Sequence, residues 1–155
     1  MRSLIIYDSF FGNTEKIAQA LGLALGSETV KVQNLSPDQL VGVDLLVLGS
    51  PTRAFSPSPD ISKFLKSQPN QGFKGIKVAT FDTRIAVNEV NSKFLTFMVK
   101  IFGYAAETMA RKLQKKGGTL VVPPEWFLVK DSEGPLKDGE LERATEWAKR
   151  ILAAL

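Results

Sequence analysis

The chain reads as a three-layer α/β/α sandwich on a five-stranded parallel sheet in the order 2-1-3-4-5. Short apolar, β-branched runs alternate with stretches of helical period, the pattern that places crossover helices between parallel strands. One run, "DLLVLGS" at 44–50, is continuously apolar until Gly49, as a strand covered on both faces would be. The 155 residues, 44% of them hydrophobic, suit one domain, 1–155, with a substantial core.

Each element has its own signal. "SLIIYD" (3–8) is an apolar, β-branched strand bounded by polar residues. From Asn13 the period changes: Ile17, Leu21, Ala24 and Leu25 fall at helical spacing, and Gly26 stops the helix. "VKVQNL" (30–35) alternates as a second strand, and "SPDQL" (36–40) supplies a short helical connection to the third. Ser58-Pro59 is an N-cap followed by a first-turn proline, with Ile61, Phe64 and Leu65 facing inward. "KVATFDT" (77–83) is the fourth strand. A helical region spans about 90–116 with a break point at Gly103; Lys115 and Lys116 occupy its last turn and Gly117-Gly118 close it. "TLVVPPEWFLV" (119–129) is a fifth strand interrupted by Pro123-Pro124, which cannot donate ladder hydrogen bonds. A last helix begins near Asp138, with Leu141, Ala144, Ala148, Ile151, Leu152 and Leu155 on one face.

Composition narrows the chemistry. The chain has no Cys, so disulfides, thiolate metal sites and cysteine nucleophiles are all excluded, and no His, which removes the commonest general base. A net charge of +4 without a clustered basic motif argues against a nucleic-acid partner. No window approaches the roughly 18 apolar residues of a membrane span, and the N-terminal apolar run is too short for a signal peptide. The expectation is a cytoplasmic protein with no membrane partner.

In a sheet of this order, ligands sit at the carboxyl ends of the strands, beside strand one. Three loops converge there. "SFFGNT" (9–14) combines a glycine able to turn sharply with the short donors of Ser9, Asn13 and Thr14, and it runs directly into a helix N-terminus suited to an anion. It contains no Lys or Arg, so a bound phosphate would be held by neutral donors. After strand three, "SPTRAFSPSP" is stiffened by three prolines and carries Phe55 as a wall for a planar ring. After strand four, Asp82, Thr83 and Arg84 offer a carboxylate, a hydroxyl and a guanidinium. Each loop also has a plainer structural reading: a capped turn, a Pro-rich linker with one packed Phe, and an Asp82–Arg84 surface pair.

"SFFGNTEKIA" (9–18) resembles the phosphate-binding loop of flavodoxins, and "GSPTR" (49–53) and "FDTR" (81–84) resemble the second and third flavin loops of flavodoxin-like proteins. The correspondence runs over essentially the whole chain. It implies bound FMN and electron transfer to a redox partner protein or a small electron acceptor. Carried over by position, Ser9, Phe10, Phe11, Gly12, Asn13 and Thr14 would form the phosphate loop. Pro51, Thr52, Arg53, Ala54 and Phe55 would flank one side of the flavin, and Asp82, Thr83 and Arg84 the other. Phe11 stands where the family motif usually has a hydroxyl-bearing Thr, and the usual Trp and Tyr sandwich has no counterpart in these loops. Arg53 and Arg84 occupy places where electron carriers often have acidic residues. They would favour the reduced, anionic flavin by about 1 kcal/mol each, unless they point to solvent or pair with Asp60 and Asp82.

A receiver domain, a dinucleotide fold and a low-molecular-weight phosphatase each lack required residues: paired acids after strand one, a Gly-x-Gly-x-x-Gly loop, and a cysteine. Two rivals to an electron carrier stay open: an FMN-dependent NAD(P)H:quinone-type oxidoreductase, and an interaction domain that has lost FMN. The segment 90–103 adds a separate question. Val90, Phe94, Phe97, Met98, Ile101 and Phe102 make one helical face, with Leu95 and Val99 off it. It reads either as a helix buried between its neighbours or as a surface for a homodimer or other partner.

Overall fold

The computed structural model describes residues 1–86, Lys93 and 103–155. The expected surface at 90–103 therefore lies, apart from Lys93 and Gly103, outside the described residues.

The strands β1 (Ser3–Tyr7), β2 (Glu28–Lys31), β3 (Leu45–Pro51), β4 (Lys77–Arg84), β5 (Thr119–Leu120) and β6 (Glu125–Leu128) form one parallel sheet. Its order is β2-β1-β3-β4-β5, with β6 also paired to β4, as the alternating pattern predicts. β5 and β6 are the expected fifth strand in two pieces. β5 pairs with Lys77 and Val78, β6 pairs with Phe81–Arg84, and Pro123-Pro124 sit in the gap between them.

The second strand is shorter and earlier than its alternation suggests. Its last pair is Tyr7↔Lys31, because β1 ends there; Val32–Asn34 then winds into a 3₁₀ turn, and Pro37–Leu40 makes another. No full helix crosses from β2 to β3.

Alternation along the strands divides the core in two. On one face Leu4, Ile6, Leu46, Leu48 and Val78 pack against α2 (Pro59–Ser67) and α3 (Ala105–Lys115). On the other, Ile5, Tyr7, Leu45, Val47 and Phe81 pack against α1 (Asn13–Leu25) and α4 (Glu140–Ala153). Phe81, Phe127 and Trp147 meet edge to face there, with centroids 5.9–6.2 Å apart. Gly49 makes room for this cluster, since a Cβ on it would lie 2.1 Å from the Phe81 ring. Ser58 caps α2 by accepting from Ile61 N at 3.3 Å. Among the described residues no helix is long and apolar enough to cross a membrane.

Candidate functional site

The carboxyl ends of β1, β3 and β4 open onto a cavity of about 210 Å³, and each of the three loops lines it. At the end of β1, Asp8 Oδ1 accepts from Ser9 N at 2.8 Å, and Ser9 Oγ accepts from Gly12 N at 3.0 Å. Gly12 has φ +88°, which lets the chain turn directly into α1. Among the described residues no side chain caps that helix, so its first N–H groups face a ligand or water, with the positive end of the helix behind them. Ser9, Phe10, Phe11, Asn13 and Thr14 all line the cavity; Gly12 shapes the loop without lining it. Thr14 is buried and shares a 2.8 Å hydrogen bond with the Thr83 hydroxyl, which ties the loop to the end of β4.

The Asn13 side chain is turned elsewhere. Its amide donates to Glu133 O at 3.1 Å, in the connection between β6 and α4.

The second loop is built on buried Ser50, whose hydroxyl donates to Pro51 O and accepts from Ser58 N. Arg53 and Ser56 exchange both backbone hydrogen bonds at 2.9 Å around Ala54 and Phe55, which have φ of +47° and +66°. Two left-handed non-glycine residues in a row store strain of roughly 1–3 kcal/mol each, held in place by the ladder and the Ser50 tie. Pro51, Thr52, Arg53 and Ala54 line the cavity, whereas Phe55 is half-buried and stands away from it. The loop brings the cation that "SFFGNT" lacks: the Arg53 guanidinium lies 5.0 Å from the Phe10 ring centroid and 5.6 Å from that of Phe11. The two exposed phenylalanines of the loop after β1 are thus a platform for Arg53.

At the end of β4 the structure divides the expected trio. Thr83 and Arg84 line the cavity. Asp82 is fully buried and stands away from it, because both its oxygens are taken: Oδ1 accepts from Arg84 Nε at 2.7 Å, and Oδ2 from Arg84 Nη2 at 2.6 Å and Ala106 N at 2.9 Å. Asp82 and Arg84 therefore form a buried bidentate pair rather than a surface one, with Asp82 at the N-terminus of α3. Burial pushes the Asp82 carboxyl above the ordinary carboxylate range, and the Arg84 hydrogen bonds pull it back down. Thr52 serves the same helix end, its hydroxyl accepting from Ala105 N at 3.2 Å.

Arg84 is also stacked. Its guanidinium carbon lies 3.4 Å from the Tyr104 ring centroid and 5.0 Å from that of Trp126. The aromatic residues of this corner thus come from outside the three loops. Tyr104, Trp126 and the cavity-lining Ile85, Val129 and Ser132 were not legible from loop motifs. Trp126 pairs in register with Asp82, so the extent of β6 was the signal that could have located it.

A family model described as a flavodoxin domain matches residues 4–122. Among solved structures, oxidised flavodoxin 1 from Bacillus cereus is 18% identical with a TM-score of 0.78, covering 100% of this chain and 99% of its own. A flavodoxin from the domain Archaea is 19% identical, covering 99% of both chains with a TM-score of 0.74. Rubredoxin oxygen:oxidoreductase from Desulfovibrio gigas is 18% identical with a TM-score of 0.72; the match covers 99% of this chain and 35% of that one. No curated protein matches by sequence.

Proposed function

The chain belongs to the flavodoxin domain family, and on that premise we propose that it binds FMN non-covalently and passes electrons through it to a redox protein or small acceptor. The observation that carries this reading is the uncapped N-terminus of α1, facing a cavity walled by the loops after β1, β3 and β4. The donors suit a phosphate: free helix N–H groups, the hydroxyls of Ser9 and Thr14, and the Arg53 guanidinium at the loop.

When bound, FMN supplies the redox chemistry. The chain supplies position and electrostatics. Ser9 holds the turn by accepting from Gly12 N, and Thr83 orients the Thr14 hydroxyl. The strained turn at Ala54-Phe55 presents Thr52 and Arg53 on one side of the cleft. Arg84, fixed by Asp82 and the Tyr104 ring, makes the other. Electron transfer asks for no general base, so the lack of His is no obstacle.

The test is FMN binding followed by flavin fluorescence and the visible spectrum. Thr14→Ala removes a hydroxyl donor to a charged acceptor, a contact worth roughly 1.5–3 kcal/mol. FMN affinity is expected to fall about tenfold or more, with riboflavin affinity nearly unchanged. A wild-type protein that fails to quench FMN at micromolar concentration would remove the FMN reading and leave that of an interaction domain.

A further inference from the structure

Phe11 leaves the phosphate loop one hydroxyl short of the flavodoxin pattern, and the Asn13 amide commits one of its two N–H donors to Glu133 O. That bond joins residues 120 positions apart. Next to it, Gly134 lies at φ +101°, and a Cβ there would fall 2.6 Å from both Asn13 Nδ2 and Oδ1. The backbone of 133–134 is therefore pressed flat on the Asn13 side chain, at the first residue of α1.

The segment 129–136 keeps its own shape. Val129 bridges to Leu136, Lys130 N donates to Pro135 O at 2.8 Å, and Gly134 N donates to Asp131 O at 2.8 Å. Ser132 N engages Asp131 Oδ1 at 2.8 Å, so that carboxylate is turned to its own loop. Val129 N donates to Arg84 O at 3.0 Å, anchoring the segment to the end of β4. Val129 and Ser132 line the same cavity as Ser9 and Thr14. A connection serving only to join β6 to α4 has no need of this latch onto the opposite loop.

We propose that 129–136 is a fourth wall of the anion subsite, with the Ser132 hydroxyl donating to the FMN phosphate where the loop lacks a hydroxyl at position 11. Asn13 is its positioning residue, holding the wall through Glu133. This inference rests on the FMN reading above.

The wild type, Ser132→Ala, Ser132→Thr and Gly134→Ala are titrated with FMN and with riboflavin by fluorescence quenching, and amide exchange of 130–136 is followed with each ligand. Ser132→Ala is expected to lower FMN affinity roughly tenfold and leave riboflavin affinity unchanged. Ser132→Thr restores FMN affinity, and Gly134→Ala, which pushes the segment off Asn13, lowers it. Exchange at 130–136 slows with FMN and not with riboflavin. An FMN-to-riboflavin affinity ratio in Ser132→Ala equal to that of the wild type overturns the proposal while leaving FMN binding in place. A wild type that binds neither flavin overturns both.

Discussion

Replacing Arg84 by Gln takes away the ion-pair partner of a buried carboxylate. Asp82 is fully buried, and Arg84 meets both its oxygens at 2.6–2.7 Å; among the described residues Ala106 N is the other direct donor. Breaking one side of a buried pair costs about 3–5 kcal/mol, since the remaining charge keeps its desolvation penalty. The same substitution removes the guanidinium from the Tyr104 ring, 3.4 Å away. For a chain of this length, each kcal/mol shifts Tm by roughly 2–4 °C, so a fall of about 10 °C is expected. The loss also has a pH signature. Burial already raises the Asp82 pKa, and Arg84 opposes that rise; without Arg84 it climbs further. A carboxyl whose folded pKa exceeds its unfolded one binds more protons folded than unfolded, so stability falls as pH rises from the unfolded pKa through the folded one. Arg84→Gln should therefore be closest to wild type at mildly acid pH and weakest near neutrality. Asp82→Asn/Arg84→Gln removes the Asp82 charge, though not that of Glu107, 3.6 Å from Arg84 Nη2, and should recover part of the loss. Urea melts of the three proteins between pH 4.5 and 8 test this. A single variant within 2 °C of wild type at pH 7, with a parallel pH profile, would refute the idea of a stranded charge.

Arg53→Gln should weaken FMN about fivefold at low salt and much less at 0.5 M, with riboflavin unaffected, because the guanidinium lies over Phe10 and Phe11 of the phosphate loop and is exposed. A shift in flavin reduction potential without any loss of FMN affinity would instead place it at the ring. Gly49→Ala puts a methyl group into the Phe81 ring and should cost about 1–3 kcal/mol in urea melts, with flavin affinities retained; unchanged stability would mean the Phe81–Phe127–Trp147 cluster yields freely.

The parts of the fold that were legible depend on neighbours in sequence. β1 and β3 are built on the continuous apolar runs 4–7 and 45–48, and Ser58-Pro59 announces α2 with the very cap seen. The second strand misled because Val30 and Val32 alternate with Lys31 and Gln33 in the sequence, while pairing ends where β1 ends, at Tyr7↔Lys31. Alternation alone carries no information about a partner's length. Asp82 and Arg84 are two apart on a strand and so share a face, which was readable. That the face is closed by the N-terminus of α3 was not, because it depends on how α3 docks.

The proposed phosphate end of the site draws on more than its local motif. Taken alone, "SFFGNT" lacks a hydroxyl at Phe11 and any charge, and Asn13 turns its amide away. In the fold, Phe10 and Phe11 carry the guanidinium of Arg53 from the second loop, and Asn13 holds the segment bearing Ser132 from beyond β6. If they act as proposed, both come from elsewhere in the chain, so neither leaves a trace in the local motif. They differ physically from one another, a hydroxyl on Ser132 and a charge on Arg53. A neutral donor at short range is indifferent to ionic strength, whereas an exposed guanidinium is screened over about 10 Å at 0.1 M salt. An anion subsite assembled this way should lose FMN as salt rises, while Ser132→Ala should weaken binding by the same factor at every salt concentration. If the Arg53→Gln and Ser132→Ala effects scale identically with salt, the division of labour between charge and hydrogen bond is wrong.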